Sequence, residues 1–291
     1  MGYVYNIQRF SLADGPSVRT TVFMSECSLS CKWCHNPEGQ HKQALQYLKS
    51  KCICCGACKE VCGYNVHSFD NEHIVNFSKC SLCGKCVEVC PAEALKIVGE
   101  NYGAQELAEE LLKDLPYFSN GGGITFSGGE PLLQAAFVAE VSEICKKRGV
   151  PTVAIDTAGF VNWKCFEKVL PNADIFLYDI KAMDEDLHRK YTNHGNRQIL
   201  ENLLRLDRQN KRIWIRVPVI KGFNANDTEM KRIADFTNEL KSVERVTLIP
   251  FHTLGQEKYA TVGMKSDMDE FDTLSNKELE EYYKFFKDTE R

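Results

Sequence analysis

The chain has 291 residues and a formal net charge of −4. That length allows one large domain with a small one beside it, and the slightly acidic balance offers no basic surface of the kind nucleic acid requires. No run of eighteen apolar residues occurs, and Met1 to Phe10 has neither the basic head nor the apolar core of a secretory signal, so a soluble cytoplasmic protein without a membrane partner is expected.

In chain order, the first strand is expected at Val18 to Met24. Directly after it stand Cys27, Cys31 and Cys34, spaced C-x3-C-x2-C. Of the 14 cysteines, twelve lie between Cys27 and Cys90, and only Cys145 and Cys165 follow, both read as small core hydrophobes. Such crowding in a reducing compartment points to metal rather than to disulfides. A [4Fe-4S] cube takes four ligands, so three close thiolates leave one iron open to a small chelating molecule. The amino and carboxylate groups of S-adenosylmethionine form such a chelate. An electron from the reduced cube then breaks a carbon–sulfur bond, releasing methionine and a 5′-deoxyadenosyl radical. Three thiolates completed by His35 would also suit zinc, and that alternative stays open at this point.

From about Tyr47 to Val98 the chain is rich in cysteine and poor in regular periodicity, which marks an insertion after the first strand. Within it the pattern C-x2-C-x2-C-x3-C occurs twice, at Cys52, Cys55, Cys58, Cys62 and at Cys80, Cys83, Cys86, Cys90. In the bacterial ferredoxin pattern the fourth cysteine of each run ligates the other cluster. One auxiliary [4Fe-4S] cluster is therefore expected on Cys52, Cys55, Cys58 and Cys90, and a second on Cys80, Cys83, Cys86 and Cys62. Cys54 has no place in the pattern. Zinc ribbons pair two C-x2-C knuckles, not four cysteines in eleven residues.

Beyond Gln105 apolar β-rich runs alternate with amphipathic helical patterns, the signature of a parallel β/α architecture. Strands are expected at Ile124 to Phe126, Thr152 to Ile155, Ile175 to Ile180, Ile213 to Val219 and Val246 to Ile249. Helices are expected at Glu106 to Leu115, Leu133 to Lys147 and Asp227 to Leu240. Polar motifs mark these strands: Gly128-Gly129-Glu130 follows one, Asp156-Thr157 and Tyr178-Asp179-Ile180-Lys181 end two more, Arg216-Val217 stand on the fifth of the six strands and His252 follows the sixth. In a β/α barrel these C-terminal strand ends share one face, where active sites lie.

Gly15-Pro16-Ser17-Val18-Arg19-Thr20, the three cysteines and His35-Asn36-Pro37-Glu38 resemble the glycyl radical enzyme activating enzymes of the radical S-adenosylmethionine superfamily. The likeness spans the whole chain, and the insertion matches the longer members of that family. It implies an α/β fold, a partial (β/α)6 TIM-type barrel formed by residues 1–46 and 99–291, with an inserted ferredoxin-like domain at 47–98. The implied cofactors are three [4Fe-4S] clusters and S-adenosylmethionine. For the latter the family pattern implies contacts from Trp33, Cys34, His35, Asn36, Gly128, Gly129, Glu130, Asp179, Ile180, Lys181, Arg216, Val217 and His252, and for a monovalent cation from Asp156, Thr157, Tyr178 and Asp179. The implied partners are a glycyl radical enzyme as protein substrate and reduced flavodoxin or ferredoxin as electron donor, with the chain a monomer. The cysteine loop departs from the family in carrying Ser28-Leu29-Ser30 for Pro-Leu-Arg, and Ser17 stands where glycine is common.

Two other functions fit parts of this pattern. One is a radical enzyme acting on a small molecule or peptide, although no cysteine follows Cys165 where peptide modifiers usually carry auxiliary ligands. The other is an electron-transfer protein, which leaves Asp179, Lys181 and Gly128-Gly129-Glu130 unused.

Overall fold

A computed structural model of the chain describes residues 1–287. Strand β1 (Gly2–Ser11) pairs antiparallel with β2 (Arg19–Met24). The next segment holds β3 (Ala44–Tyr47), α1 (Ala57–Val61), a hairpin of β4 (His67–Phe69) and β5 (His73–Val75), α2 (Lys85–Glu88), β6 (Leu95–Val98) and β7 (Glu100–Tyr102). Helix α3 (Ala104–Leu112) leads to β8 (Gly123–Gly128), α4 (Ala135–Lys147), β9 (Thr152–Thr157), α5 (Trp163–Val169) and β10 (Ile175–Asp179). The chain continues through α6 (Glu185–Thr192), α7 (Arg197–Arg208), β11 (Arg212–Val219), α8 (Asp227–Asn238), β12 (Val243–Pro250), α9 (Gln256–Thr261) and α10 (Asn276–Tyr283). Among the described residues no helix is long and apolar enough to cross a membrane.

The main sheet runs β12-β11-β10-β9-β8-β2-β1-β7. Its six parallel members, β2 and β8 to β12, are the six strands expected from the apolar runs. β1 and β7 extend it antiparallel at one edge, where no expectation had placed a strand. Side-chain alternation sorts the two faces. On β11, Ile213, Ile215, Val217 and Val219 are buried in the core that includes Leu203 of α7 and Ile233 of α8, while Trp214, Arg216 and Pro218 take the opposite face. Residues from all six parallel strands line a single cavity. A flat sheet of six strands at about 4.8 Å spacing would hold its outer strands about 24 Å apart, so the sheet curves around that cavity.

At the other end of the strands Arg19 is fully buried. It donates to Thr125 Oγ1 at 2.6 Å, the Ile124 carbonyl at 2.5 Å, Thr152 Oγ1 at 3.0 Å and the Pro16 carbonyl at 3.2 Å. One side chain thus ties together the starts of β2, β8 and β9. The loop delivering it turns at Ser17, whose φ of 58° lies in the left-handed region and whose hydroxyl donates to the Ser119 carbonyl.

The segment after the cysteine loop is closed by β3 and β6, paired from Ala44↔Val98 to Tyr47↔Leu95, so it begins three residues before Tyr47. It has its own apolar core, and it meets the barrel through Phe77, packed so tightly on Gly263 that a Cβ there would come within 2.3 Å of the ring. The two halves repeat in conformation as well as in sequence. Gly56 and Gly84 take φ of 83° and 78° to start α1 and α2, and Cys54 and Leu82 hold equivalent positive φ just before Cys55 and Cys83. Cys54 is exposed.

Helix α6 carries a pH-sensitive contact. His188 is 1% exposed, its Nδ1 donates to the His194 carbonyl at 2.6 Å, and its Nε2 is buried with no partner among the described residues. Burial pushes its pKa down from 6.5 to about 4, because a second proton would sit on that unpartnered nitrogen. A depressed histidine pKa favours the neutral form, so this contribution is whole above pH 6.5 and is lost as pH falls towards 4. Stability measured by denaturant midpoint is expected to decline over that window, with a shallower decline in His188→Asn. An identical slope in the two proteins would assign the acid sensitivity elsewhere.

Candidate functional site

The loop after β2 is held by backbone contacts rather than by its thiols. Ser30 N and Lys32 N donate to the carbonyls of Thr192 and Tyr191, both at 3.1 Å, and the Tyr259 hydroxyl donates to the Cys34 carbonyl at 2.8 Å. Lys258 Nζ reaches the His35 carbonyl at 3.1 Å. The Gly128-Gly129 pair secures the other side. A Cβ on Gly128, whose φ is 105°, would come within 2.5 Å of Met24 N, and one on Gly129 within 2.2 Å of the Glu26 carbonyl. Gly129 N and Glu130 N donate to the carbonyls of Met24 and Glu26, each at 2.8 Å. These glycines are needed first because the cysteine loop lies directly on the end of β8.

Cys27, Cys31 and Cys34 consequently line one cavity of ≈270 Å³, together with Trp33, His35, Asn36, Gly128, Gly129, Asp156, Thr157, Asp179, Lys181 and Arg216. Burial raises all three thiols above their ordinary range, Cys31 up to about 12. They are therefore poor free nucleophiles, and they become thiolates only against a strongly positive partner such as iron. Among the described residues the one set of three ligand atoms drawn within 4.8 Å of one another is Cys58, His67 and His73. A structural zinc would need a fourth side-chain ligand beside Cys27, Cys31 and Cys34. His35 does not complete such a set, since its Nε2 meets the His252 carbonyl at 2.7 Å and its ring lies 4.2 Å from that of His252. The donor chemistry fits an iron–sulfur cluster.

The opposite wall is charged. Lys181 Nζ donates to Asp179 Oδ2 at 2.7 Å, Arg216 Nη1 meets Asp156 Oδ2 at 2.9 Å, and Ser127 Oγ donates to the same oxygen at 2.6 Å. Burial opposes the Lys181 charge, but Asp179 and the neighbouring cysteines outweigh it and raise the ammonium above its usual range. Burial pushes Asp156 up to about 6 against the pull of Arg216. Trp33 closes one side, 5% exposed and packed on Phe223 at 4.5 Å and edge-on to Phe271 at 5.9 Å.

Several expected site residues lie elsewhere. Val217 and Ile180 are buried in packing against other apolar side chains. Val217 takes the opposite face of β11 from Arg216 because side chains alternate along a strand. His252 sits beside the cavity mouth, against His35. Tyr178 points outward, donating to the Ile199 carbonyl at 2.7 Å. Thr157 Oγ1 donates to Glu130 Oε1 at 2.7 Å, while Asp156, Thr157 and Asp179 line the cavity together and the two acids face Arg216 and Lys181. The cavity also recruits Ser127, Ile249 and Phe251, which flank expected site residues, and Asp14, Phe23 and Gln40, which no motif indicated. Ser127, directly before the glycine pair on β8, was legible from strand alternation, whereas Asp14 arrives from the loop after β1 with no local signal.

Glu130 acts as a tie. It is fully buried, and besides Thr157 its carboxylate accepts from Leu132 N at 3.1 Å and Ala158 N at 3.0 Å. In Glu130→Gln either amide orientation turns an NH2 towards one of those backbone N–H groups. A loss of about 2 kcal/mol of stability is expected, read from the denaturant midpoint, and an unchanged midpoint would show that the carboxylate does not join β8 to β9.

In the inserted segment Cys52, Cys55, Cys58 and Cys90 line one small cavity, and Cys62, Cys80, Cys83 and Cys86 line another.

A family profile described as the radical SAM superfamily matches residues 21–236. The (2S)-3-sulfopropanediol dehydratase activating enzyme of Klebsiella oxytoca is 39% identical over 277 residues, covering 92% of this chain and 87% of that protein. The trans-4-hydroxy-L-proline dehydratase activating enzyme of Clostridioides difficile is 40% identical over 289 residues, covering 97% and 95%. Among solved structures, Streptococcus suis SuiB bound to precursor peptide SuiA aligns with a TM-score of 0.53 at 14% identity, over 96% of this chain and 47% of that one, a likeness of fold alone. With its thiol-lined cavity at the C-terminal ends of six parallel strands, the chain belongs to the radical SAM superfamily and, within it, to the activating enzymes.

Proposed function

We propose that Cys27, Cys31 and Cys34 hold a [4Fe-4S] cluster beside a bound S-adenosylmethionine, and that the chain uses the pair to install a glycyl radical on a partner enzyme. The observation that carries this reading is the convergence on one cavity of three buried thiols, the Gly128-Gly129 backbone, Asp156, Asp179, Lys181 and Arg216. When bound, the cluster supplies the electron that splits S-adenosylmethionine into methionine and a 5′-deoxyadenosyl radical, which removes a hydrogen atom from a backbone glycine of the partner.

The protein's own part is to bind, orient and exclude water. Lys181 and Arg216 hold the carboxylates of Asp179 and Asp156 at the strand ends, where they accept hydrogen bonds from the ligand's ammonium and hydroxyl groups. Trp33 and Phe251 form dry walls beside the cysteines, limiting side reactions of the radical. No side chain is required as a general acid or base. A monovalent cation at Asp156 and Asp179 would compete with Arg216 and Lys181 for the same oxygens, so those two residues carry the counter-charge in this reading.

The division we infer is a partial barrel of residues 1–46 and 99–291 and a ferredoxin-like insertion at 47–98, its flanking strands starting at Ala44. The grouping of its cysteines around two cavities supports two auxiliary [4Fe-4S] clusters, on Cys52, Cys55, Cys58, Cys90 and on Cys62, Cys80, Cys83, Cys86. Reduced flavodoxin or ferredoxin is the donor, and the chain acts as a monomer in the cytoplasm. An electron carrier would need neither the charged cavity nor its dry wall.

The deciding experiment incubates the anaerobically reconstituted chain with reductant, S-adenosylmethionine and a glycyl radical enzyme. A glycyl radical signal by electron paramagnetic resonance, matched by 5′-deoxyadenosine, is expected. 5′-deoxyadenosine without any protein radical would favour a small-molecule or peptide substrate. Neither product would favour an electron carrier.

The same reading makes a prediction for the insertion. Cys55→Ala and Cys83→Ala are each expected to slow activation at least about tenfold with the protein donor, while dithionite-driven cleavage persists. Normal rates in variants that have lost an auxiliary cluster would rule out electron relay through the insertion.

A further inference from the structure

His67 and His73 belong to no motif, yet they occupy the centre of the inserted segment. The β4–β5 hairpin pairs His67 with Val75 and Phe69 with His73, and both imidazoles are 4% exposed. His73 stacks on Phe69 at 4.4 Å and meets Tyr47 edge-on at 4.6 Å, so its ring is fixed in place. His73 lines the cavity of Cys52, Cys55, Cys58 and Cys90, and His67 lines that of Cys62, Cys80, Cys83 and Cys86. Across the wall between the cavities His67 Nδ1 and His73 Nε2 stand 3.0 Å apart, a hydrogen bond. At one end of this pair His73 Nδ1 lies 3.4 Å from Cys52 Sγ, and at the other His67 Nε2 is buried with no partner among the described residues.

The charge on sulfur decides where the protons lie. Under the two-cluster reading above, on which this inference rests, Cys52 is an iron-bound thiolate and can only accept. Cys58, a ligand of the same cluster, faces Nε2 at the longer distance of 3.7 Å, so the shorter sulfur contact, to Cys52, takes the proton of His73 on Nδ1. A neutral imidazole has one N–H, so His73 Nε2 must accept, and the donor is His67 Nδ1. The proton of His67 is thereby committed, and its Nε2 presents a bare lone pair to the second cavity. The pair is directional, with an N–H at one cluster and a lone pair at the other.

We propose that His73 and His67 make the two auxiliary clusters inequivalent, raising the reduction potential of the one on Cys52, Cys55, Cys58 and Cys90 above that of the other. A hydrogen bond to a ligating sulfur stabilises the added electron, and a lone pair facing a cluster does the reverse. The cysteine frameworks repeat each other closely in sequence and backbone, so this asymmetry comes from the histidines. An electron on the insertion then rests on the Cys52 side.

The test uses the full chain, reconstituted anaerobically, with iron and sulfide counted and each cluster's potential followed by redox titration with electron paramagnetic resonance. Cys83→Ala, which removes the second auxiliary cluster, assigns the signals. His73→Leu is expected to shift the reduction equilibrium of the Cys52 cluster about tenfold towards the oxidised form, about 59 mV for one electron, leaving the barrel cluster unmoved. His73→Asn, whose amide N–H falls near the Nδ1 position, should restore most of that shift. Should the leucine variant lose its cluster, wild-type chain labelled with 15N-histidine provides the readout, with nitrogen coupling expected on the Cys52 cluster. Three clusters with equal auxiliary potentials, an unshifted potential in His73→Leu, or no nitrogen coupling would overturn the histidine proposal while leaving the cluster reading intact. Iron for a single cluster, or zinc bound by Cys58, His67 and His73, would overturn both.

Discussion

Cys31→Ala is expected to abolish 5′-deoxyadenosine formation and to remove one cluster's complement of iron, with the fold unchanged. Cys31 is the middle thiol of the three and lines the cavity together with Lys181 and Asp179, whose charges it feels. Its replacement leaves two thiolates, too few to retain a cube that already lacks a fourth protein ligand. Folding should survive, because the loop is anchored through the Ser30 and Lys32 amides and the Cys34 carbonyl rather than through sulfur. Burial keeps the metal-free Cys31 thiol neutral at physiological pH, so alanine removes no charge from the folded chain. The check is chromatographic assay of 5′-deoxyadenosine beside an iron count and a denaturant titration. Continued cleavage by a variant with native stability would place the reactive cluster elsewhere in the chain.

Arg19→Met should produce the largest loss of stability, on the order of 3 kcal/mol, because buried acceptors left without donors cost about 1–3 kcal/mol each. Among the described residues no carboxylate lies within hydrogen-bond reach of Arg19, and burial lowers its pKa from 12.5 to about 10. Its charge is held instead by carbonyl and hydroxyl oxygens at the starts of three strands. Methionine fills much of the same volume and satisfies none of those oxygens, including the buried carbonyl of Ile124. The strand starts lie at the end of the barrel away from the cysteines, so cleavage per folded molecule should change little while the denaturant midpoint falls. A midpoint within experimental error of wild type would mean that water replaces the guanidinium there.

The two variants separate the ends of one sheet, with chemistry at the C-terminal ends and stability at the N-terminal ends. The family likeness around Gly15 to Thr20 therefore has a structural cause in Arg19, whereas that of Cys27 to Glu38 has a chemical one.

The amino-acid sequence by itself determined the six parallel strands, because each is an apolar run bounded by polar turns, and it marked the three cysteine runs, because ligand spacing is a local property. It also placed most of the polar motifs on one face, since they stand at strand ends. It left β1 and β7 unmarked, because β1 interleaves its few apolar residues with exposed polar ones and β7 is three mostly exposed residues, so neither carries a strong apolar run. Only the tertiary structure decided which side chains at the strand ends face the cavity, turning Tyr178 and Val217 outward beside the inward Asp179 and Arg216. It likewise assigned the glycine pair to docking the cysteine loop and committed Glu130 to three donors between β8 and β9. His67 and His73 were brought across two cavities by a hairpin whose pairing no local pattern records. The physical reason is the same throughout: periodicity and spacing along the chain report what a residue needs locally, while the partner that satisfies a buried polar atom is set by which distant backbone the fold lays against it.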